Sequence, residues 1–160
     1  MKLAEPFTNC RRNITTHNFF TSASLAAKLL AKGTTLVGTI RANRRKLPAL
    51  AKTAKDNMKL FSTIIYKLND CTLTIYKSKP RKKVMILSTK HKSVKTKNNR
   101  KKTPETITYY NKSKFGIDMV DQMARKYSVK SKCSRWPVQA VFNILDFAGI
   151  NAWIIRKQLG

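Results

Sequence analysis

Two aspartates that open the last third of the sequence are the strongest candidates for metal chemistry. Asp118 and Asp121 lie three residues apart in the string GIDMVDQM, and this spacing places both carboxylates on one face of a helix. Carboxylates in this arrangement can help to hold Mg²⁺, a hard cation that takes oxygen ligands and keeps several waters. Acidic residues in the first turn of a helix also complement the helix dipole. Composition alone favours that second, structural role.

The remaining acid–base and metal-ligating residues are few. The sequence has 7 acidic residues and 2 histidines, His17 and His91. His17 is a lone imidazole at the end of an expected strand, where a polar loop residue is the ordinary interpretation. Asp70 lies between two expected strands, as a turn residue does. This small inventory argues against an independent enzyme.

The cysteines exclude two further kinds of site. Cys10, Cys71 and Cys133 are odd in number and widely separated. Neither a disulfide framework nor a four-thiolate zinc site can be built from them. Unpaired thiols of this kind are typical of a reducing compartment.

Basic residues dominate the charge of the chain. The sequence contains 34 Lys and Arg against 7 Asp and Glu, a formal net charge of +27. Such an excess indicates a polyanionic partner, nucleic acid first and an anionic membrane second. With 42% hydrophobic residues, the chain is too apolar for a disordered basic tail. No apolar run approaches the ~18 residues of a membrane span, and the N-terminus lacks a signal peptide's apolar stretch. We therefore expect DNA as the partner and no membrane segment.

The densest basic run, at residues 90–102, holds seven Lys and Arg and almost no apolar residue. It is predicted to be a solvated loop that contacts phosphates without reading base sequence, or else a flexible connection. Arg135 and Trp136 come just before Pro137, which suits the first position of a helix. The pair could stack on a nucleotide base, but the commoner role of such residues is to anchor the start of the helix. The candidate nucleic-acid-binding residues are Arg44, Arg45, Lys90, Lys92, Lys95, Lys97, Arg100, Lys101, Lys102, Arg135 and Trp136.

The pattern of apolar residues predicts the elements that position these side chains. Residues 12–20 indicate a strand that runs into a loop, residues 25–30 a helix capped by Ser22 or Ser24 and ended by Gly33, and residues 35–40 a buried strand. This order predicts a βαβ unit.

Further along the chain, β-branched and aromatic residues predict three strands, and the last third is predicted to be helical. The strands are expected at residues 61–66, 71–76 and 84–88, the last two forming a hairpin whose turn lies at residues 77–83. A broad apolar stripe follows Pro137 to the end of the chain and needs cover on more than one side.

Five strings of the sequence resemble the core of piggyBac-type transposases and their domesticated relatives, in the family's order and with near-family spacing. They are RNITTHNFFTS (12–22), LVGTIRANRRKLP (36–48), LTIYKSKPRKKVMILST (73–89), YNKSKFGIDMVDQM (110–123), and RWP (135–137) with NILDFAGINAWII (143–155).

The resemblance implies a ribonuclease-H-like fold in which three catalytic aspartates bind two Mg²⁺ ions and carry out DNA cleavage and strand transfer. The first aspartate belongs to a strand upstream of the residues present here. The second falls where this sequence has His17, and the third matches Asp118, with Asp121 as its helix neighbour. Imidazole prefers Zn, Cu or Fe to Mg²⁺ and carries no negative charge. Asp118 is therefore the one matching carboxylate, and any metal site there is expected to be weak and vestigial.

The predicted fold class is α/β, a partial ribonuclease-H-like transposase core that lacks the first strands. We expect the second half of the core at residues 1–48, a β-rich insertion at 49–109 and a C-terminal helical part at 110–160. The leading functional hypothesis is a truncated, degenerate, nuclear transposase fragment without a functional Mg²⁺ site, which binds DNA electrostatically. The alternatives are a domesticated chromatin-associated or partner-binding module and a fragment with no function of its own. A transposase-like homodimer is an option that no residue pattern supports.

Overall fold

The computed structural model describes residues 2–44, 47–52 and 57–159 and divides the chain into two compact units, Met1–Ser113 and Lys114–Gly160. Arg45, one of the predicted DNA-binding residues, lies outside the described residues. The first unit begins with a 3₁₀-helix, Lys2–Phe7, and contains all five strands of the sheet.

A strand–helix–strand segment forms one edge of the sheet, as the sequence predicts. Strand β1 (Asn13–Thr16) pairs in parallel with β2 (Thr35–Thr39), and helix α1 (Ala23–Leu30) connects them. The Ser22 side chain accepts a hydrogen bond from the Leu25 amide, which fixes the N-cap. Gly33 ends the helical segment at φ +63°, a left-handed conformation that glycine adopts without strain.

The next three strands extend the same sheet. After the short helix α2 (Ala49–Lys52) come β3 (Thr63–Leu68), β4 (Cys71–Lys79) and β5 (Lys82–Ser88), and the strand order is β1-β2-β5-β4-β3. Because β5 pairs antiparallel with β2, the strands after residue 49 and those before it share one sheet. The three-part division at residues 48 and 109 stays a prediction.

Two boundaries differ from the sequence prediction. The strand expected from residue 61 begins at Thr63, because Phe61 has the left-handed φ of +61°. The hairpin turn expected at residues 77–83 is much shorter, since the pairing of β4 with β5 continues to Lys79 and Lys82. The four lysines of that segment therefore lie on the paired strand ends, and Arg81 lies in the turn.

Alternating side chains bury both faces of the sheet. One face packs α1 residues Ala26 and Leu29 against a cluster that includes Leu36 and Leu73. The other face packs helix α3 (Glu105–Ser113) through Ile107 and Tyr110 against Val37, Tyr76 and Ile86. The first unit is thus a sheet with helices on both sides.

The second unit contains helices α4 (Phe115–Lys126) and α5 (Trp136–Leu159). In α5 only Asp146 and Ile150 are buried among the described residues. By length and composition alone, α5 is apolar enough to cross a membrane, which for a single helix is weak evidence of a membrane span. Polar residues such as Asn143, Asp146 and Asn151 interrupt its apolar stripe, so the sequence contains no unbroken apolar run of that length.

Replacement of Gly38 by Ala is expected to destabilise the first unit by ~1–3 kcal/mol, the usual effect of overpacking. Gly38 pairs with Thr16, and a Cβ atom there would lie 2.6 Å from the Thr16 carbonyl oxygen. Gly149→Ala is the control, because a Cβ atom at Gly149 meets nothing within 4 Å and alanine improves helix propensity by up to ~1 kcal/mol. Urea unfolding followed by circular dichroism measures both variants. Equal stability of Gly38→Ala and the parent chain would contradict the close approach of the two strands.

Candidate nucleic-acid interface

Residues 90–102, the basic loop, lie between β5 and α3 and expose all of their cationic side chains to solvent. Its seven cations are Lys90, Lys92, Lys95, Lys97, Arg100, Lys101 and Lys102. The solvent exposure of this segment was predicted from the sequence. Its fixed backbone conformation was not predicted.

Main-chain hydrogen bonds hold the basic loop in one conformation. The Lys97 amide donates to the Thr103 carbonyl at 3.0 Å and the Glu105 amide donates to the Lys95 carbonyl at 2.8 Å. The Tyr76 hydroxyl, on strand β4, donates to the Lys101 carbonyl at 2.6 Å. The basic loop is therefore tied to the sheet and to α3 through its backbone, while its charged side chains point to solvent. Such a loop can present several cations to a phosphate backbone without first being ordered.

A buried serine–histidine pair fixes the start of the basic loop. The Ser88 hydroxyl oxygen accepts hydrogen bonds from the amides of Lys90 and His91, and it lies 2.8 Å from the His91 Nδ1 atom. Since two amides already donate to this oxygen, its own proton is directed to Nδ1, which makes His91 a neutral acceptor. The Thr72 hydroxyl donates to the His91 carbonyl at 2.7 Å.

Burial lowers the pKa of His91, with an upward contribution from the Glu105 carboxylate and a downward one from the Lys90 ammonium. Ser88 is fully buried, so this pair has no access to a substrate. Its role is to stabilise the turn at the start of the basic loop. In the sequence His91 stands isolated within a basic run, and its contact with Ser88 was not predicted.

The stability of the first unit is expected to fall as the pH drops below ~6.5, the ordinary pKa of histidine. The pKa of His91 is lower in the folded chain than in the unfolded chain, so the unfolded chain binds more protons in this range. The free energy of unfolding therefore decreases as the pH falls from ~6.5 to the pKa of folded His91. The measurement is urea unfolding between pH 7.5 and 5. His91→Asn should remove the dependence, because its amide oxygen can replace Nδ1 as an acceptor without titrating. His17→Asn, at the exposed histidine, is the control. If His91→Asn keeps the pH dependence of the parent chain, the Ser88–His91 pair is not its cause.

His17 lies just after β1 and is exposed. Its carbonyl accepts hydrogen bonds from the amides of Phe20 and Thr21, which forms a tight turn before α1. Arg44 donates from Nη2 to the Phe19 carbonyl at 2.6 Å. The structure therefore brings Arg44, one of the predicted DNA-binding residues, next to the turn that contains His17.

Asp118 and Asp121 are exposed on α4. Asp118 lies in the first turn, where its carboxylate is 3.2 Å from the Lys114 ammonium in an i,i+4 pair. In this position the Asp118 carboxylate stabilises α4 through the helix dipole and through its ion pair with Lys114. Asp118 belongs to the second unit and His17 to the first.

The donor set does not fit the Mg²⁺ site that the family resemblance implies. Over the described part of the chain, no three His, Cys, Asp or Glu side chains come close enough to share a metal ion. Two Mg²⁺ ions held close together need several carboxylates around them. Asp118 and Asp121 provide carboxylates on one helix only, and one of these is already beside a lysine.

Arg135 and Trp136 lie at the start of α5, and Trp136 is 78% exposed. The Gln139 amide donates to the Arg135 carbonyl, which closes the first turn of the helix. Pro137 occupies this first turn, where its missing N–H is tolerated.

Asp146 is a buried carboxylate whose role sequence patterns did not indicate. It accepts hydrogen bonds from the Val129 amide at 2.8 Å and the Ser128 hydroxyl at 2.7 Å, and these contacts lower the pKa of its carboxyl group. Asp146 thereby fixes the connection that follows α4. Beside it, a groove of about 660 Å³ is lined mainly by apolar side chains, among them Met119, Leu145 and Trp153.

The chain matches the family model described as Transposase IS4 over residues 1–153. Its structure matches that of a piggyBac transposase, solved by cryo-EM as a synaptic complex with hairpin DNA, with a TM-score of 0.80 and 33% sequence identity. The match covers 98% of this chain and 33% of that one, so this chain spans about a third of that transposase's length. No curated protein matches the chain.

A five-stranded α/β unit followed by helices, together with the family model, defines the chain as part of a transposase core. The chain belongs to the Transposase IS4 family and is related to piggyBac-type transposases. This confirms the family that the five sequence strings indicated. The mixed α/β architecture agrees with the expected partial ribonuclease-H-like core.

Proposed function

We propose that this transposase-derived chain is a nuclear protein that binds DNA electrostatically and does not catalyse DNA cleavage or strand transfer. The observation that carries the proposal is the basic loop, which exposes seven cations on a backbone fixed by hydrogen bonds. Phosphate contacts of this kind give affinity without sequence information.

The composition of the whole chain supports this function. A net charge of +27 raises the local concentration of a polyanion around the protein and accelerates its association. Arg44, next to the turn after β1, and Arg135, at the start of α5, are further exposed or half-exposed cations. We assign the candidate cations to phosphate contacts, because exposed Lys and Arg side chains of a basic run reach phosphates without reading base edges.

The proposed absence of catalysis rests on the identity of the residues at the family's catalytic positions. His17 stands where the resemblance places a catalytic aspartate, and a neutral imidazole does not offset the charge of Mg²⁺. Asp118 keeps its carboxylate but pairs with Lys114. A vestigial contact between Asp118 and a single cation is the most that this donor set supports.

The test is to incubate the purified 160-residue chain with supercoiled plasmid and with transposon-end duplexes in the presence of Mg²⁺ or Mn²⁺. We expect mobility-shifted complexes and no nicked or joined products, and Asp118→Asn should bind DNA as the parent chain does. Metal-dependent nicking that disappears in Asp118→Asn would overturn the proposed inactivity. Absence of any DNA complex at low salt would overturn the binding function itself.

The second candidate is a domesticated chromatin-associated or partner-binding module. The apolar groove beside Asp146 favours it, because exposed apolar surfaces of this kind are typical of interaction sites. The two functions differ in their dependence on salt, since DNA binding through phosphates weakens steeply as salt rises and apolar contacts do not. A transposase-like homodimer stays a prediction that sedimentation of the chain tests.

A further inference from the structure

We propose that the turn after β1 forms a stacking platform for unpaired nucleotide bases. Phe19 and Phe20, the aromatic pair, and the arginines Arg41 and Arg44 make up this platform. The inference rests on the proposed DNA-binding function and adds a class of ligand to it, namely single-stranded or locally unpaired DNA. Neither the family model nor the structural match assigns such a site.

Two large aromatic side chains are exposed side by side at this turn. Phe19 and Phe20 are 60% and 61% exposed, and their rings meet edge to face with centroids 5.1 Å apart at 83°. The turn is held from within by the amides of Phe20 and Thr21, which donate to the His17 carbonyl. The rings therefore stand on a fixed backbone and present apolar faces to solvent. Water solvates such faces poorly, so a flat apolar ligand is favoured there.

Two arginines border the aromatic pair. The Arg41 guanidinium carbon lies 5.6 Å from the Phe19 ring centroid, and its Nε donates to the Asn18 side-chain oxygen at 3.2 Å. Arg44 Nη2 donates to the Phe19 carbonyl at 2.6 Å. Arg41 thus places delocalised positive charge against the Phe19 ring, and Arg44 places a second guanidinium beside the Phe19 backbone, where both can pair with a phosphate while a base stacks on an uncovered ring face.

The topology brings the two halves of the platform together. The aromatic pair follows β1, and Arg41 and Arg44 follow β2. Because β1 and β2 are parallel, their carboxyl ends lie at the same edge of the sheet. This is the edge at which open α/β sheets usually bind ligands.

The chemistry of the platform selects unpaired over paired DNA. In a duplex, each base face is covered by its neighbours, and a protein aromatic can reach it only if the stack is opened. An unpaired base offers its π-face at once, and stacking on an aromatic side chain is worth ~1–3 kcal/mol per base. The ring contact at the start of the basic loop joins buried His91 to half-buried Tyr109, so it offers no exposed pair of ring faces and does not make this distinction.

The experiment compares the dissociation constants of the full chain for a 12-nucleotide oligo(dT) and a 12-base-pair duplex, by fluorescence anisotropy at fixed salt. In the double variant Phe19→Leu/Phe20→Leu, we expect oligo(dT) binding to weaken about tenfold or more, from one lost stack of ~1.4 kcal/mol. Duplex binding should change less than twofold. Phe19→Tyr/Phe20→Tyr keeps both rings and should bind oligo(dT) as the parent chain does.

Phe115→Leu is the matched control, because Phe115 is 63% exposed and lies on α4. Circular dichroism of each variant confirms the fold, which exposed positions should not disturb. Unchanged oligo(dT) binding in the leucine double variant, or an equal loss for oligo(dT) and duplex, would overturn the platform while leaving the proposed function intact. If the parent chain binds neither probe, the proposed function fails instead.

Discussion

Duplex DNA is expected to bind the chain with an affinity that falls ~10³- to 10⁵-fold between 50 and 200 mM salt, as for proteins that contact ~6–10 phosphates. The basic loop alone exposes seven cations. Each phosphate contact releases condensed counterions from the DNA and adds ~0.9 to the slope of log affinity against log salt concentration. Little preference among duplex sequences is expected, since phosphates carry no base identity.

Neutralising four lysines of the basic loop should flatten this salt dependence. In the variant with glutamine at Lys90, Lys92, Lys95 and Lys97, the slope should fall by up to ~3.6 if each lysine contacts one phosphate. The fold should persist, because the loop backbone is held by main-chain hydrogen bonds and by the Tyr76 hydroxyl.

The matched control removes the same charge from the second unit, by glutamine substitution at four exposed cations. These are Lys126, Lys130, Arg156 and Lys157. An equal decrease of the slope in this control would show that the net charge of the chain, and not the basic loop, governs binding. Strong discrimination for one short duplex sequence at physiological salt would mean that a base-reading surface exists elsewhere in the protein.

The parts of the fold that sequence patterns predicted are those set by neighbouring residues. The β1–α1–β2 segment followed from its apolar spacing, its Ser22 cap and Gly33, all of which act within a few residues. Asp70 was predicted as a turn residue between two strands, and with Asn69 it forms the two-residue turn between β3 and β4. The pairing of β5 with β2 was not predicted, because it joins segments that are more than forty residues apart and no local pattern specifies it.

In the candidate sites too, features set by neighbouring residues were predicted, and contacts between distant residues were not. The exposure of the basic loop was predicted from its charge, whereas its tethering by Tyr76 was not. The Arg41–Phe19 contact and the burial of Asp146 depend on residues brought together by the fold. In the sequence, Asp146 is a polar residue that interrupts an apolar helix. Only its contacts with Ser128 and Val129 show that it fixes the connection after α4.

Helix α5 illustrates the limit of a periodic pattern most clearly. Its apolar stripe predicted a helix correctly, and the need for cover on more than one side was also inferred. The structure leaves most of this surface exposed, including Val141 at 54%, Ile144 at 67% and Ile155 at 56%. Apolar surface of this extent is unusual on a monomeric soluble protein and favours self-association.

Polar substitution of this face is expected to convert a self-associating chain into a monomer. Ile144 and Ile155 are eleven residues apart, about three helical turns, so they lie on one face of α5. If each side chain contributes ~1.5 kcal/mol or more when buried, Ile144→Glu/Ile155→Glu should weaken association by ~10²-fold or more. Sedimentation velocity at several protein concentrations, in high salt and without DNA, measures the effect.

The control for charge is Asn143→Glu/Gln158→Glu, which adds the same two carboxylates at exposed polar positions of α5. This variant keeps the apolar surface and should self-associate as the parent chain does, apart from the small effect of net charge. Both pairs of positions are exposed, so neither substitution removes a buried contact of the second unit. A parent chain that sediments as a monomer at all concentrations, with one sharp and reversible melting transition, would contradict this prediction. The exposed face of α5 would then be compatible with a stable, independently folded chain, and its apolar character would need no partner.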